Sequence, residues 1–520
     1  MRKKEKNNSV HVVFGAECTK SMDWKSIAVF HSFRTSGWVG NITRLLACSP
    51  EQKLNYLGMD IGPTFVHPNY HFVEGYEDSP TYNKPAALMH FTKEVEIEEE
   101  YLLYIDADML LRRVVDPEIY GAKRGHVVTE YVWYVRQGIL NGLADQFLPD
   151  DKAKNNAKNT HGGYYHLIHK DDAKAVTPLW LHYTREMRLH PERYWAGLEG
   201  SKIEKDIDTV QRGVTHGHAP WISEMYGYAF AAAHLGLTHS FTRGGGGVLY
   251  GDDFMTLNHA GPFAAHYTLS CSIPSKEHYF PFERDEDSYK FDKNEYTIDV
   301  INCDKGGWLD EPPRSPVVDE AGALCLENVE RINYALCDYY RQNCPSDSYA
   351  YLRSFDECPY NVNEPYSFHY HKVKPAPCGD RSDAEWCHSR IHKDDACRIS
   401  PPDMTLQCLK SCDFCMPKSI VCEDRIETEK CNQYAQENEC VLNPTFMTFN
   451  CRKTCNACEP NSKPTMFLPS LSNEDVIGTH SMNTAFDVAM TSFKMFLCIT
   501  LLGCYTFMRR KYTVFGKKIQ

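Results

Sequence analysis

Apolar residues over the first hundred positions come in short unbroken runs, separated by segments of helical period. The run HVVFGAE (11–17) predicts a short buried strand. MDWKSIAVFHSFRTSG follows, with Trp24, Ile27, Phe30 and Phe33 at roughly helical spacing and Gly37 as a stop. NITRLLACS (41–49) predicts a second strand. In NKPAALMHFTKEVEIEEE, Leu88, Phe91 and Val95 fall on one helix face, and Pro85 is tolerated in the first turn. YLLYI (101–105) is the next strand. Strands this continuously apolar, alternating with helices, predict a parallel α/β sheet covered on both faces. Further on, WISEMYGYAFAAAHLGL (221–237) is apolar on almost every side if helical, which predicts a buried helix.

Near the end the pattern changes. Ala485 to Met508 is AFDVAMTSFKMFLCITLLGCYTFM, charge-free from Met495 onward. Counted from Ala485 the stretch reaches the roughly 20 residues that span a bilayer, with Lys494 placed to snorkel. The tail RRKYTVFGKKIQ holds five basic residues, the mark of a cytoplasmic flank. A single-pass helix at 485–508 would leave the bulk of the chain in the lumen, and an amphipathic or buried helix is the alternative. The final Lys517-Lys518-Ile519-Gln520 resembles a dilysine retrieval signal, so the expected location is the endoplasmic reticulum or Golgi membrane. The polar start MRKKEKNNS contains no export signal, and the expectation is a signal peptide that is missing or removed. Net charge is −13 and there is no basic arm, so nucleic acid is excluded as a partner.

Cysteine use divides the chain. Of 22 cysteines, 18 lie between Cys271 and Cys458, a density that signals disulfides in an oxidising compartment. From Cys378 they fall at 378, 387, 397, 408, 412 and 415, and from Cys422 at 422, 431, 440, 451, 455 and 458. The two sets nearly superpose, an internal duplication. Copies this small need staples in place of a core. The frame, with CLKSCDFC and CRKTCNAC at the ends of its copies, resembles the ShK toxin-like domain. That resemblance implies the pairs Cys378–Cys415, Cys387–Cys408 and Cys397–Cys412, then Cys422–Cys458, Cys431–Cys451 and Cys440–Cys455. Spacing alone leaves the connectivity open, and zinc is the rival for the C-x3-C-x2-C ends. The stretch 311–377, with Cys325, Cys337, Cys344 and Cys358, is expected to be a connector with two disulfides, and 459–484 a stalk.

The chemistry concentrates at YLLYIDADMLL, where Asp106 and Asp108 close an apolar strand. In parallel sheets ligands bind at the carboxyl ends of strands, and residues i and i+2 of an extended chain point the same way. Two carboxylates there can hold a hard cation, Mn²⁺ or Mg²⁺, against the phosphates of a nucleotide diphosphate sugar. A helix cap and turn is the bland alternative. The pair resembles the D-x-D motif of glycosyltransferases with the GT-A fold, which implies a Rossmann-type nucleotide-sugar-binding domain over residues 10–310. HVVFGAECTKSMDWKSIAVFHSF, ITRLLACS, NKPAAL, YIDADML, TPLWL and WISEMYGYAFAAAHLGL occur in that order. Together they resemble the plant and algal peptidyl serine α-galactosyltransferases, relatives of the hydroxyproline O-arabinosyltransferases. The resemblance implies transfer of galactose from UDP-galactose to serine in hydroxyproline-rich proteins, with retention of configuration, by a lumenal domain on a C-terminal anchor. Other UDP-sugar transfer, such as arabinose to hydroxyproline, is the near alternative. A membrane-tethered ShK-type binding protein with an inert α/β domain is the distant one.

Further site residues are expected around the pair. His266 in AAHYTL matches the family's late His-Tyr block as a third metal ligand, with His259 as the alternative. Lys84 opens a helix, where phosphate is also welcome, unless it is merely solvated. Arg44 is expected either at the nucleotide or paired with a buried acid. Glu224, in the first turn of the buried helix, is expected to orient the acceptor or stabilise positive charge at the anomeric carbon, with helix capping as the alternative. Gly162 and Gly163 would let backbone approach a sugar, or form a plain turn. Arg243 to Gly247 (RGGGG) reads as a loop, not a phosphate cradle.

Overall fold

The computed structural model describes residues 10–76, 79–198, 219–242, 248–250, 263–267, 270–273, 289–310 and 320–358. Of the cysteine-rich part it describes 380, 382–394, 396–399, 408, 410–412, 424, 426–436, 439–442, 447, 450–451 and 453–455. Contacts divide the chain into Met1–Thr465 and Met466–Gln520, and all described residues lie in the first unit. The stalk (459–484), the membrane segment (485–508) and the tail (509–520) lie outside the described residues, as do His259 and Arg243 to Gly247. Among the described residues no helix is long and apolar enough to cross a membrane.

The strands in chain order are β1 (Val10–Glu17), β2 (Ile42–Cys48), β3 (Thr64–Pro68), β4 (Tyr101–Ile105), β5 (Met109–Leu111), β6 (His126–Tyr131), β7 (Gly162–His169), β8 (Thr238–Thr242), β9 (Val248–Tyr250), β10 (Ala264–His266), β11 (Ser270–Ile273) and β12 (Tyr289–Asp292). A seven-stranded sheet runs β3-β2-β1-β4-β7-β6-β8. Alternating β1 residues serve two faces. Val13 packs with Leu88 and Phe91 of the Asn83–Glu94 helix, while Val12 and Phe14 pack with Val29 and Phe30 of the Lys20–Thr35 helix. Burying one such side chain contributes about 1.5–3 kcal/mol, so double coverage favours the unbroken apolar runs of the sequence.

The expected parallel sheet is mixed. β1 to β4 run parallel through β3-β2-β1-β4, but β7 is antiparallel to both β4 and β6. The cause is the β6–β7 connection. It leaves and re-enters at one end through short helices between Trp133 and Ala157, with no crossover. The Ser223–Leu235 helix is buried along nearly its whole surface, as its composition predicts. It rests on the Lys170–Leu189 helix at Gly227, where a Cβ would stand 2.3 Å from Thr184 Oγ1.

The stretch read as a connector contains the Glu320–Asn343 helix, which packs Val329, Ile332 and Leu336 against Trp24, Ile27 and Phe291. Cys337 pairs within the stretch, with Cys358. Cys325 and Cys344 reach back to Cys271 and Cys303, stitching the helix to the α/β unit. Of the predicted module disulfides, Cys387–Cys408, Cys397–Cys412, Cys431–Cys451 and Cys440–Cys455 are formed. Cys378, Cys415, Cys422 and Cys458 lie outside the described residues. Each module repeats a further clasp. The Ser411 backbone N–H and hydroxyl donate to Asp380 at 2.8 and 2.6 Å, and those of Thr454 to Asp424 at 2.9 and 2.7 Å.

Candidate active site

β4 ends at Ile105, and the chain turns before β5 begins at Met109. Asp106 and Asp108 therefore sit in a turn and not on extended chain; the Met109 N–H closes it on the Asp106 carbonyl at 3.2 Å. Motif and turn are one object, and the turn is what aims both carboxylates together. β10 then pairs antiparallel with β5, setting His266 opposite Met109. This register brings an imidazole from far along the chain to Asp108, with His266 Nε2 3.2 Å from Oδ1. One ligand atom from each of Asp106, Asp108 and His266 lies within 4.8 Å of the others. Two carboxylates and an imidazole suit Mn²⁺ and also accommodate Mg²⁺.

Basic groups surround the acids. Lys84, in the first turn of its helix, lies 2.8 Å from Asp106 and 3.5 Å from Glu224. Lys293, just after β12, contacts the second oxygen of Asp108. Burial favours the neutral Asp108 carboxyl, but His266 and Lys293 outweigh it and hold the group well below the usual carboxylate range. Burial likewise opposes the Lys84 ammonium, and Asp106 and Glu224 overcome it, raising Lys84 well above its ordinary value. Glu224 goes the other way. Burial pushes its carboxyl up to about 7, against the pull of Lys84 and with the support of Asp106. The Trp180 indole donates to the Glu224 carbonyl at 2.6 Å, fixing that turn of the helix.

Of the residues singled out in the sequence, the fold gathers Asp106, Asp108, His266, Lys84 and Glu224. Arg44 and the glycine pair have other partners. Arg44 is fully buried and donates to the Gly58 carbonyl at 2.7 Å and to Thr64 Oγ1 at 3.0 Å, with Asp23 4.0 Å away. This is the buried-acid pairing set beside nucleotide contact in the sequence. Asp23 and Tyr56, which hold Arg44, line a cavity of about 480 Å³ at the carboxyl ends of β1 and β2, with Thr19, Gln52 and Asn55. Gly162 and Gly163 open β7. The space their side chains would need is filled by Thr129, and by Val132 and Met225, so strand packing by itself accounts for these glycines.

Sequence reasoning missed Lys293 and Tyr164. Tyr164 has φ 64°, uncommon for an aromatic residue and a feature of functional sites. Its ring meets His266 with centroids 5.4 Å apart, and its hydroxyl meets that of Tyr134 at 2.8 Å. Gly163 beforehand was the available signal for unusual backbone. For Lys293 there was none, since a lone lysine in a charged stretch (KFDKNE) is ordinary.

Comparison with known proteins agrees with this architecture. Residues 10–195 match the model of the hydroxyproline O-arabinosyltransferase family N-terminal domain, and 377–415 and 421–458 each match the ShK domain-like model. A peptidyl serine alpha-galactosyltransferase of Arabidopsis thaliana is 33% identical over 347 residues, 65% of this chain and 38% of that protein. One of Chlamydomonas reinhardtii is 29% identical over 451 residues, 78% of this chain and 55% of that protein. The hydroxyproline O-arabinosyltransferase PLENTY of Lotus japonicus is 24% identical, covering 56% of this chain and 72% of its own. Among solved structures, the galactosyltransferase LgtC aligns with 49% of the chain at 13% identity and a TM-score of 0.28. Residues 10–195 thus match the N-terminal domain of an arabinosyltransferase family, and two ShK-like modules follow. The chain is a relative of the peptidyl serine α-galactosyltransferases, and it spans about half or less of the length of the two such proteins it matches here.

Proposed function

We propose that the α/β unit is a metal-dependent galactosyltransferase of the GT-A type that moves galactose from UDP-galactose to serine hydroxyls of hydroxyproline-rich proteins, with retention of configuration. The observation that carries this reading is the convergence of Asp106, Asp108 and His266 at the carboxyl end of β4, in a chain whose named relatives are glycosyltransferases. A bound cation would supply neutralisation of the leaving diphosphate, and those three residues would hold it. Lys84 adds a fixed positive charge for phosphate oxygens and ties Asp106 to Glu224. Glu224, half-buried and poised near neutrality, is placed to receive the acceptor hydroxyl or to face positive charge at the anomeric carbon. The cavity beside β1 and β2 has room for a nucleoside. The match of residues 10–195 to the arabinosyltransferase domain supports the second reading, transfer of arabinose to hydroxyproline.

The protein is incubated with Mn²⁺, a panel of UDP-sugars, and serine or hydroxyproline peptides. UDP-galactose with serine peptides should give the fastest release of UDP, and Asp108→Ala should lower that rate at least about a thousandfold with an unchanged circular dichroism spectrum. Release of UDP by neither donor, or by the alanine variant at the native rate, defeats the reading. We further propose lumenal placement with 485–508 as the anchor. The disulfides of the described residues fit an oxidising compartment, and protection of the cysteine-rich part from protease in sealed microsomes is the test.

A further inference from the structure

Lys293 is more firmly placed than a turn lysine needs to be. It follows β12, which pairs with β11 from Ser270↔Asp292 to Ile273↔Tyr289. β11 is bonded through Cys271 to Cys325 of the Glu320–Asn343 helix, and Phe291 is buried in the cluster that includes Trp24 and Val329. A strand pair, a disulfide and a core aromatic thus fix the backbone from which the Lys293 ammonium reaches Asp108. On the other side of the same carboxylate stands His266. Buried Lys25 of the Lys20–Thr35 helix also lies in the field of Asp108 and Lys293.

The charges of this cluster decide what it can accept. Asp106 and Asp108, the two acids offered to a cation, supply two negative charges, and Lys84 and Lys293, each in contact with one of them, supply two positive ones. A divalent cation held by Asp106, Asp108 and His266 would leave two positive charges uncompensated among partly buried groups, which is costly in a medium of low polarity. An anion carrying at least two negative charges restores balance. The diphosphate of a nucleotide sugar is such an anion, and an ammonium displaced from Asp108 is a ready contact for its oxygens.

Resting on the donor reading above, we propose that Lys293 is a donor-binding residue: it shares Asp108 with a cation, takes the diphosphate when the cation claims that carboxylate, and so makes cation and nucleotide binding depend on each other. Lys84 differs in that Glu224, which is no ligand of the cation, still holds it after Asp106 is claimed.

Calorimetry on the full chain in detergent would measure Mn²⁺ alone, then UDP in saturating Mn²⁺, for the native protein, Lys293→Met and Lys293→Arg. Removing the ammonium should tighten Mn²⁺ binding in the absence of nucleotide several-fold and weaken UDP binding in Mn²⁺ about tenfold or more. Arginine should restore most of the UDP affinity. If Lys293→Met binds UDP within about twofold of the native protein, the proposal is overturned while the donor reading stands. If the native protein takes up no UDP with Mn²⁺, the donor reading itself has failed.

Discussion

Leu103 on β4 and Cys408 in the first cysteine-rich module are both wholly buried, but against different neighbours. Leu103 lies among Val12, Phe14, Ile105 and Leu167, drawn from several strands. Cys408 lies in a cluster of Cys387, Cys412, Cys431, Cys451 and Cys455, with Ala396 and Met447 the only other buried members among the described residues. Interiors of the first kind are stabilised by apolar area removed from water, which grows with size. The module interior is mostly the staples themselves, and those act on the unfolded chain by limiting its freedom. The two regions should therefore fail under different insults.

The largest expected difference is chemical. Dithiothreitol should abolish hydrogen-exchange protection in the Ala384–Asp394 and Thr428–Gln436 helices, because each lost disulfide costs about 2–5 kcal/mol in a small domain. Amides of β1, β4 and β7 should keep their protection. Retention of module protection after full reduction would mean the modules have a core that does not depend on their bonds. The reciprocal insult is Leu103→Ala, expected to cost about 2–5 kcal/mol and to lower the urea midpoint of the sheet while module exchange in its own bonds stays unchanged.

How legible each region was in the sequence follows from the same contrast. The module staples were readable because disulfide frames are written as spacing, and the formed pairs Cys387–Cys408 and Cys397–Cys412 follow the family's connectivity. The Asp380–Ser411 and Asp424–Thr454 clasps also recur at matching places beside the cysteines of both copies, and could have been found by comparing the copies for polar matches. In the α/β unit the first strands and helices were legible from apolar period, and β1, β2 and β4 appear within a residue or two of their expected positions. The reversal of β7 was not, because strand direction is set by where a connection returns and no residue pattern records that. His266 could be named only from family likeness, since its partnership with Asp108 depends on the β5–β10 register. Arg44 and Gly162 show a different limit. A charged residue in an apolar strand and a glycine pair both signal constraint, but the constraint is internal packing.

Acid should also separate the regions, by a smaller amount. His67 on β3 is buried, and burial with the nearby His90 lowers its value to about 4. The unfolded chain binds that proton near pH 6.5 and the folded chain only near pH 4. Its contribution is therefore fully present above about pH 6.5 and is lost as pH falls toward 4, by at most about 3 kcal/mol. His67→Phe should flatten urea stability of the sheet across that window, whereas the disulfide-held modules should be indifferent to it. An unchanged slope in the variant would assign the acid sensitivity to other buried imidazoles, such as His166.

The smallest expected effect lies where the two regions meet. Glu439, immediately before Cys440 in the second module, accepts from Arg136 Nη2 at 2.9 Å, and both side chains are nearly buried. Arg136 belongs to the Trp133–Gly138 helix, which also carries Tyr134, the hydroxyl partner of Tyr164 beside His266. At the matching place in the first module, before Cys397, stands Ala396. One frame thus carries two different residues at one position, and only the glutamate can make this pair. Glu439→Ala should give the second module the first one's residue. The loss should be about 1–2 kcal/mol, below the 3–5 kcal/mol of a fully enclosed pair because some solvent reaches the arginine. It should read out as faster exchange in 426–442 and in 133–138 together, with both module disulfides intact. Faster exchange in 426–442 alone would mean that the pair steadies the module without bracing the helix beside the site, and the α/β unit would then be independent of its cysteine-rich neighbour in stability.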